Sequence, residues 1–368
     1  MQTSTTIGDI ARSAEQPAVH RLADHTTLRL GGPARHWATA CTEQELVDTV
    51  FALDAAGDPA LVLGGGSNLV VSDDGFDGTV VAVAGTGIDA DEDGCTGAIV
   101  RVEAGQDWDS FVGYAIEQEW SGVEVLSGIP GTVGATPIQN VGAYGGEVAD
   151  TIQTVHAWDR QTRQRATFPM ASCGFGYRTS RFKAEPGRYV IAAVTFQFRM
   201  ASRSAPIRYA ELARTLGVEL GARPPAADVR AAVLELRRNK GMVLDADDHD
   251  TWSAGSFFTN PILSAADAAR LPVDAPRWPM PDRLDLDGAG GEGAVKTSAA
   301  WLIEHAGFGR GFGEGAAQVS SKHTLALTNR GSASTADLLD LARRIRAGVA
   351  ATYAITLEPE PVLVGCRL

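Results

Sequence analysis

Pro59-Ala60-Leu61-Val62-Leu63-Gly64-Gly65-Gly66-Ser67-Asn68-Leu69-Val70-Val71-Ser72 opens as a short apolar strand, breaks on three glycines and resumes as a second apolar run. Consecutive glycines let backbone N–H groups converge on a phosphate, and the Ser67 hydroxyl and Asn68 amide add side-chain donors. No lysine follows the glycines, so this is not a Walker A loop. Leu69 and Val70 occupy positions where a G-x-G-x-x-G fingerprint continues, and a strand rather than a helix follows. A glycine-rich hairpin with no ligand is the competing reading.

A second cluster, Ser127-Gly128-Ile129-Pro130-Gly131-Thr132-Val133-Gly134-Ala135, lies in the centre of the chain. Asn140-Val141-Gly142-Ala143-Tyr144-Gly145-Gly146 follows within a few residues. Two backbone-rich loops suit the two phosphates of a dinucleotide, with Pro130 stiffening the second and an amide and a phenol close by.

Outward from these loops the chain alternates short elements. Leu46, Val47, Val50, Phe51 and Leu53 have helical spacing over 43–56, with Thr42 as N-cap and Glu45 as its capping-box partner. Strands are expected over 79–84, 97–104, 151–159 and 189–198, and a helix capped by Asp107 over 108–119. Helices are expected over 211–216, 228–240, 297–306 and 335–353, with strands at 255–258, 324–328 and 361–366. The acidic run 245–250 with His249 reads as a solvated hinge, a metal site being the weaker alternative. The whole is α+β with mixed sheets.

A chain of 368 residues exceeds what one core usually organises, so two or three domains are expected. Its 44% hydrophobic and 21% charged residues suit a soluble globular protein. A net charge of −13 argues against nucleic acid or an anionic membrane as partner. Cys41, Cys95, Cys173 and Cys366 form no C-x-x-C pair, and no His/Cys spacing suits zinc, so no metal is expected. The polar N-terminus and the lack of a long apolar stretch point to a cytoplasmic enzyme.

Three further motifs can carry chemistry. Phe175-Gly176-Tyr177-Arg178 sets a guanidinium, suited to a planar carboxylate, beside an aromatic ring; a surface ion pair is the bland alternative. Gly255-Ser256-Phe257-Phe258-Thr259-Asn260-Pro261 sets a hydroxyl in apolar surroundings. No G-x-S-x-G elbow accompanies it, which disfavours acyl transfer; a core strand with an incidental serine is the alternative. Leu357-Glu358-Pro359-Glu360 carries two carboxylates; in an apolar pocket either would hold its proton and could donate to a developing anion.

In this order the motifs resemble the UDP-N-acetylenolpyruvoylglucosamine reductase (UDP-N-acetylmuramate dehydrogenase) family, from about His25 to the C-terminus, in its longer form with a tyrosine loop. G-S-F-F-x-N-P is the most specific element. The resemblance implies an FAD-binding PCMH-type, vanillyl-alcohol-oxidase-like fold of two subdomains plus a C-terminal α+β substrate-binding domain. It divides the chain into a first FAD subdomain at 1–82, joined by a final strand at 357–368, a second at 83–244, and a UDP-sugar domain at 245–356. The PCMH-type region spans about 28–200.

The resemblance further implies FAD as cofactor, NADPH as co-substrate, UDP-N-acetylglucosamine enolpyruvate as substrate, a monomer, and a place in peptidoglycan precursor synthesis. By the same analogy Ser256 gives a proton while Arg178 and a protonated Glu360 stabilise the developing charge. FAD contacts are carried over to Gly64, Gly65, Gly66, Ser67, Asn68, Ser127, Gly128, Ile129, Pro130, Gly131, Gly134, Ala135, Asn140, Gly142, Ala143 and Tyr144. Tyr209, Lys240, Asn260 and His323 are expected on the substrate. Thr259 stands where the family commonly has Lys, and the acidic run lengthens the gap between Lys240 and Ser256. Another FAD-dependent oxidase of carbohydrates or alcohols, or a non-catalytic nucleotide-binding protein, are the alternatives.

Overall fold

The computed structural model describes residues 20–93, 97–280 and 293–368. Cys95 and most of the glycine-rich 288–293 segment lie outside them. The strands Ala34–Ala40, Phe76–Val83 and Ala60–Leu63 form a parallel sheet in that order. Helix Glu43–Ala56 makes the crossover, with Thr42 accepting from the Glu45 N–H as expected. Its buried Leu46 and Val50 pack on Ala40 and Val81. The run after the glycines, Leu69–Val71, does not join this sheet. It pairs in parallel with the C-terminal strand Val362–Val364, which closes the chain back onto its start.

A larger antiparallel sheet follows, ordered Gln164–Pro169, Ile152–Asp159, Tyr189–Met200, Gly97–Glu103, Ile88–Asp93, with Trp120–Ser121 on the far end of the long strand. Gly97–Glu103 buries Ala98, Val100 and Val102 alternately, as one face of a sheet requires. The central Tyr189–Met200 strand is buried on both faces for most of its length. One face meets the aromatic cluster of Trp108, Phe111, Phe196 and Phe198, and Val190 reaches the helix Glu43–Ala56 cluster.

In the C-terminal third, helix Thr335–Tyr353 packs on helix Ala299–His305 and on a two-stranded antiparallel sheet, and helix Ala265–Arg270 packs on a three-stranded one. Ser334 caps the long helix in a capping box with Asp337. Phe257 and Phe258 are fully buried in this core, together with Leu28, Leu30 and Val70 from the N-terminal part. Truncating either Phe to Ala removes on the order of 3–5 kcal/mol of stability. The expected strand at 255–258 does not form. Gly255 turns the backbone to φ +71° and ends any extended run, leaving an isolated bridge from Phe258 to Pro359.

Candidate functional site

The two glycine loops meet. A Cβ on Gly65 would lie 2.6 Å from the Cα of Gly131, so only glycine allows this approach. Among the described residues no protein acceptor meets the backbone N–H of Gly65, Gly66, Ser67 or Gly131. Free backbone donors on two touching loops form a donor set suited to a diphosphate. The first loop is also a shared wall. Gly64 and Gly65 face a cavity of about 840 Å³ with Leu63, Ala82, Val83 and Leu244. Ser67 and Asn68 face a second cavity of about 340 Å³.

That second cavity gathers Arg178, Ser256 and Glu360, far apart in sequence, with Ile129, Pro130, Gly142, Ala143, Tyr144, Tyr209, Lys240 and His323. The convergence has a local cause. The segment after Gly255 lies against the segment before the last strand: Glu360 N–H donates to the Phe257 carbonyl (2.9 Å) and Thr259 N–H to the Glu358 carbonyl (3.0 Å). Arg178 arrives from the other side at the tip of a tight turn closed between Gly176 and Thr179. Its Nη2 donates to the Gly142 carbonyl (2.6 Å) and its Nη1 to that of Asn140 (3.3 Å).

Nε of Arg178 lies 3.0 Å from Glu360 Oε1, but its N–H is not aimed at that oxygen, so the contact is close without being an aligned hydrogen bond. Burial pushes the Glu360 carboxyl up, against the pull of Arg178 and Lys183. The Ser256 hydroxyl has no hydrogen-bond partner among the described residues. Asn140, Tyr144 and Arg178 all hold positive φ, a strain that clusters at this one site.

Tyr209, Lys240 and His323 pack around the rim. The Tyr209 ring meets Tyr144 edge-on at 5.6 Å. Lys240 Nζ lies 5.6 Å above Tyr144 and pairs with Glu211 at 2.6 Å. Burial beside Lys240 and Arg237 pushes His323 down to about 4, so its imidazole is neutral near pH 7.

Other expected contacts lie elsewhere. Ser127 is buried with its hydroxyl on the Glu124 carbonyl. Gly134 packs on Ala104 and donates to its carbonyl. Asn140 spends its amide on Glu147 and the Gly176 carbonyl, bracing the Arg178 turn. Asn260 accepts from the Ala299 N–H and contacts the Tyr177 phenol, outside the cavity lining.

Only the first half of the acidic run, Asp245 to Asp247, is exposed to solvent. Asp250 is buried and accepts from Ser321 N–H, the Ser321 hydroxyl and Arg330, while Lys322 pairs with Asp248. These contacts fasten the loop that carries His323. Among the described residues no His, Cys, Asp or Glu group is arranged to hold a metal ion, and no helix is long and apolar enough to cross a membrane. Cys41, Cys173 and Cys366 are free thiols.

Two cavity residues escaped sequence reading. Gln139 accepts from the Asn68 amide at 2.7 Å. Arg237 is half-buried with its Nε sealed from solvent and unpartnered, and desolvation pulls its guanidinium down to about 10. Its position one helical turn before Lys240 was the available signal.

Touching glycine loops, a parallel α/β lobe beside an antiparallel sheet, and a third unit contributing polar groups define a flavin-binding oxidoreductase with an added substrate unit. Residues 34–165 match the FAD binding domain family model, and residues 247–364 match that of the UDP-N-acetylenolpyruvoylglucosamine reductase C-terminal domain. UDP-N-acetylenolpyruvoylglucosamine reductase of Cutibacterium acnes is 56% identical over 94% of this chain and 90% of its own length. That of Thermobifida fusca is 55% identical over 94% of this chain and 97% of its own. The crystal structure of the Thermus caldophilus UDP-N-acetylenolpyruvylglucosamine reductase is 26% identical with a TM-score of 0.62, covering 94% of this chain and 99% of that one. The chain belongs to the UDP-N-acetylenolpyruvoylglucosamine reductase family.

Proposed function

We propose that this protein reduces UDP-N-acetylglucosamine enolpyruvate to UDP-N-acetylmuramate with NADPH through bound FAD, a cytoplasmic step of peptidoglycan precursor synthesis. The observation that carries the reading is the convergence of Arg178, Ser256 and Glu360 on one cavity that abuts the glycine loops. The free N–H groups of Gly65, Gly66, Ser67 and Gly131 would hold the diphosphate of FAD, on a loop that borders both cavities. When bound, FAD supplies the hydride that it receives from NADPH.

The residues of the chain do the rest. Arg178 and the protonated Glu360 stabilise charge that develops toward the substrate carboxylate, a cation and a neutral donor fixed in advance of the reaction. Ser256 gives its proton to the carbon next to that carboxylate. A serine is a weak acid, but here its acceptor is a much stronger base in a cavity that Ile129, Val141, Met242 and Ala254 also line. Tyr209, Lys240, Arg237 and the neutral His323 line the space left for the sugar nucleotide.

Purified protein should be yellow, and its NADPH consumption should depend on the enolpyruvyl UDP-sugar. Colourless protein, or full turnover on oxygen alone, would sink the reading. Rapid mixing of Ser256→Ala should leave flavin reduction by NADPH intact and slow flavin reoxidation by substrate at least ~10²-fold. Equal loss in both half-reactions contradicts the role given to Ser256.

A further inference from the structure

Lys296, Tyr177 and Glu147 cluster around Arg178 outside the lining of the cavity. Lys296, on strand Val295–Thr297 of the C-terminal unit, places Nζ 4.4 Å from the centroid of the Tyr177 ring. Asn260 lies near the Tyr177 phenol. Arg178 follows Tyr177 directly, its Cζ 5.6 Å from the same ring. Glu147 opposes both cations and accepts from the Asn140 amide at 2.7 Å, and the Asn140 carbonyl takes Arg178 Nη1.

These contacts cross the molecule. The anchors of Arg178 on Asn140 and Gly142 come from its own half of the chain. Tyr177 is met from the other half, by Lys296 and Asn260, on the same side as Ser256 and Glu360. A turn strained to φ +54° at Arg178 keeps its geometry only where its surroundings hold it. A cation over an aromatic face is a directional hold of that kind, and Glu147 offsets the repulsion between two neighbouring cations.

We propose that Lys296 is a positioning residue: seated on Tyr177 and balanced by Glu147, it locks the Arg178 turn against the C-terminal unit so that the guanidinium stays beside Glu360. The inference rests on the function proposed above. It also accounts for how basic character reaches this region although Thr259 lacks it: Lys296 pairs across the sheet with Ile262, three residues beyond Thr259.

The test uses full-length, FAD-loaded protein as wild type, Lys296→Met and Lys296→Arg, with the two half-reactions followed separately by flavin absorbance. For Lys296→Met, reduction by NADPH should stay within about twofold, while reoxidation by the enolpyruvyl UDP-sugar slows about tenfold, the size expected of a small misplacement. Its Kd for the sugar, read from the flavin spectrum, should change far less than the rate. Lys296→Arg, still cationic and able to stack, should recover most of the rate. Lys296→Gln and Tyr177→Leu carry the Lys296→Met expectation, so misfolding of one variant leaves the others to decide. Unchanged reoxidation, equal loss in both half-reactions, or no rescue by Arg overturns the proposal. A wild type that the sugar does not reoxidise overturns the proposed function instead.

Discussion

Glu360 shows how one side chain acquires a role from its surroundings. Its carboxyl is buried beside the Arg178 guanidinium while its backbone N–H is tied to the Phe257 carbonyl, and burial outweighs the nearby cations in setting its proton. As pH rises through this elevated pKa the carboxyl ionises, and a donor becomes a second negative charge beside the developing one. Substrate-driven reoxidation of the flavin should therefore fall on the alkaline side, with no matching limb in NADPH-driven reduction. Glu360→Gln cannot ionise and should lose that limb while running more slowly throughout. Stopped-flow rates across pH for both half-reactions check this, and a limb that persists in the variant belongs to another group.

At the scale of elements, the two glycine loops behave as one device. Gly65 faces the Gly131 backbone so closely that a methyl group must push the loops apart. Gly65→Ala should therefore lower flavin content, read as the ratio of flavin to protein absorbance after purification, more than it lowers the thermal midpoint. Full flavin content in that variant would mean that the loops move freely. The glycine strings were legible in the sequence; their mutual contact was not, because residues 65 and 131 are brought together by two different sheets. The acidic edge strand Ile88–Asp93 also escaped reading, since charge on an edge guards against pairing and erases the apolar alternation.

At the scale of the molecule, the last strand holds the proposed catalytic groups in register. Val362–Val364 pairs with Leu69–Val71 directly after the first glycine loop, and Val362 N–H donates to the Asn68 carbonyl. Ending the chain after Glu360 retains every catalytic side chain but removes this strand. Such a truncation should lower the thermal midpoint, and should reduce substrate-driven reoxidation more than NADPH-driven reduction because Glu360 loses its anchor. Parallel loss of both would assign the strand to stability alone.

Local chemistry in the sequence determined the glycine loops, the capped helices at 43–56 and 335–353, the Arg178, Ser256 and Glu360 motifs and, through their order, the family. Those signals survive translation into one dimension because turn glycines, caps and apolar periodicity act over a few residues. Only the tertiary structure decided that Ser256 sits after a glycine turn rather than in a strand, that Asn140 and Asn260 brace neighbours, and that Asp250 fastens the His323 loop. It alone revealed Lys296 behind Tyr177. Most of these depend on which groups meet across tens of residues or more, or on how buried a charge becomes, and neither is written in local pattern.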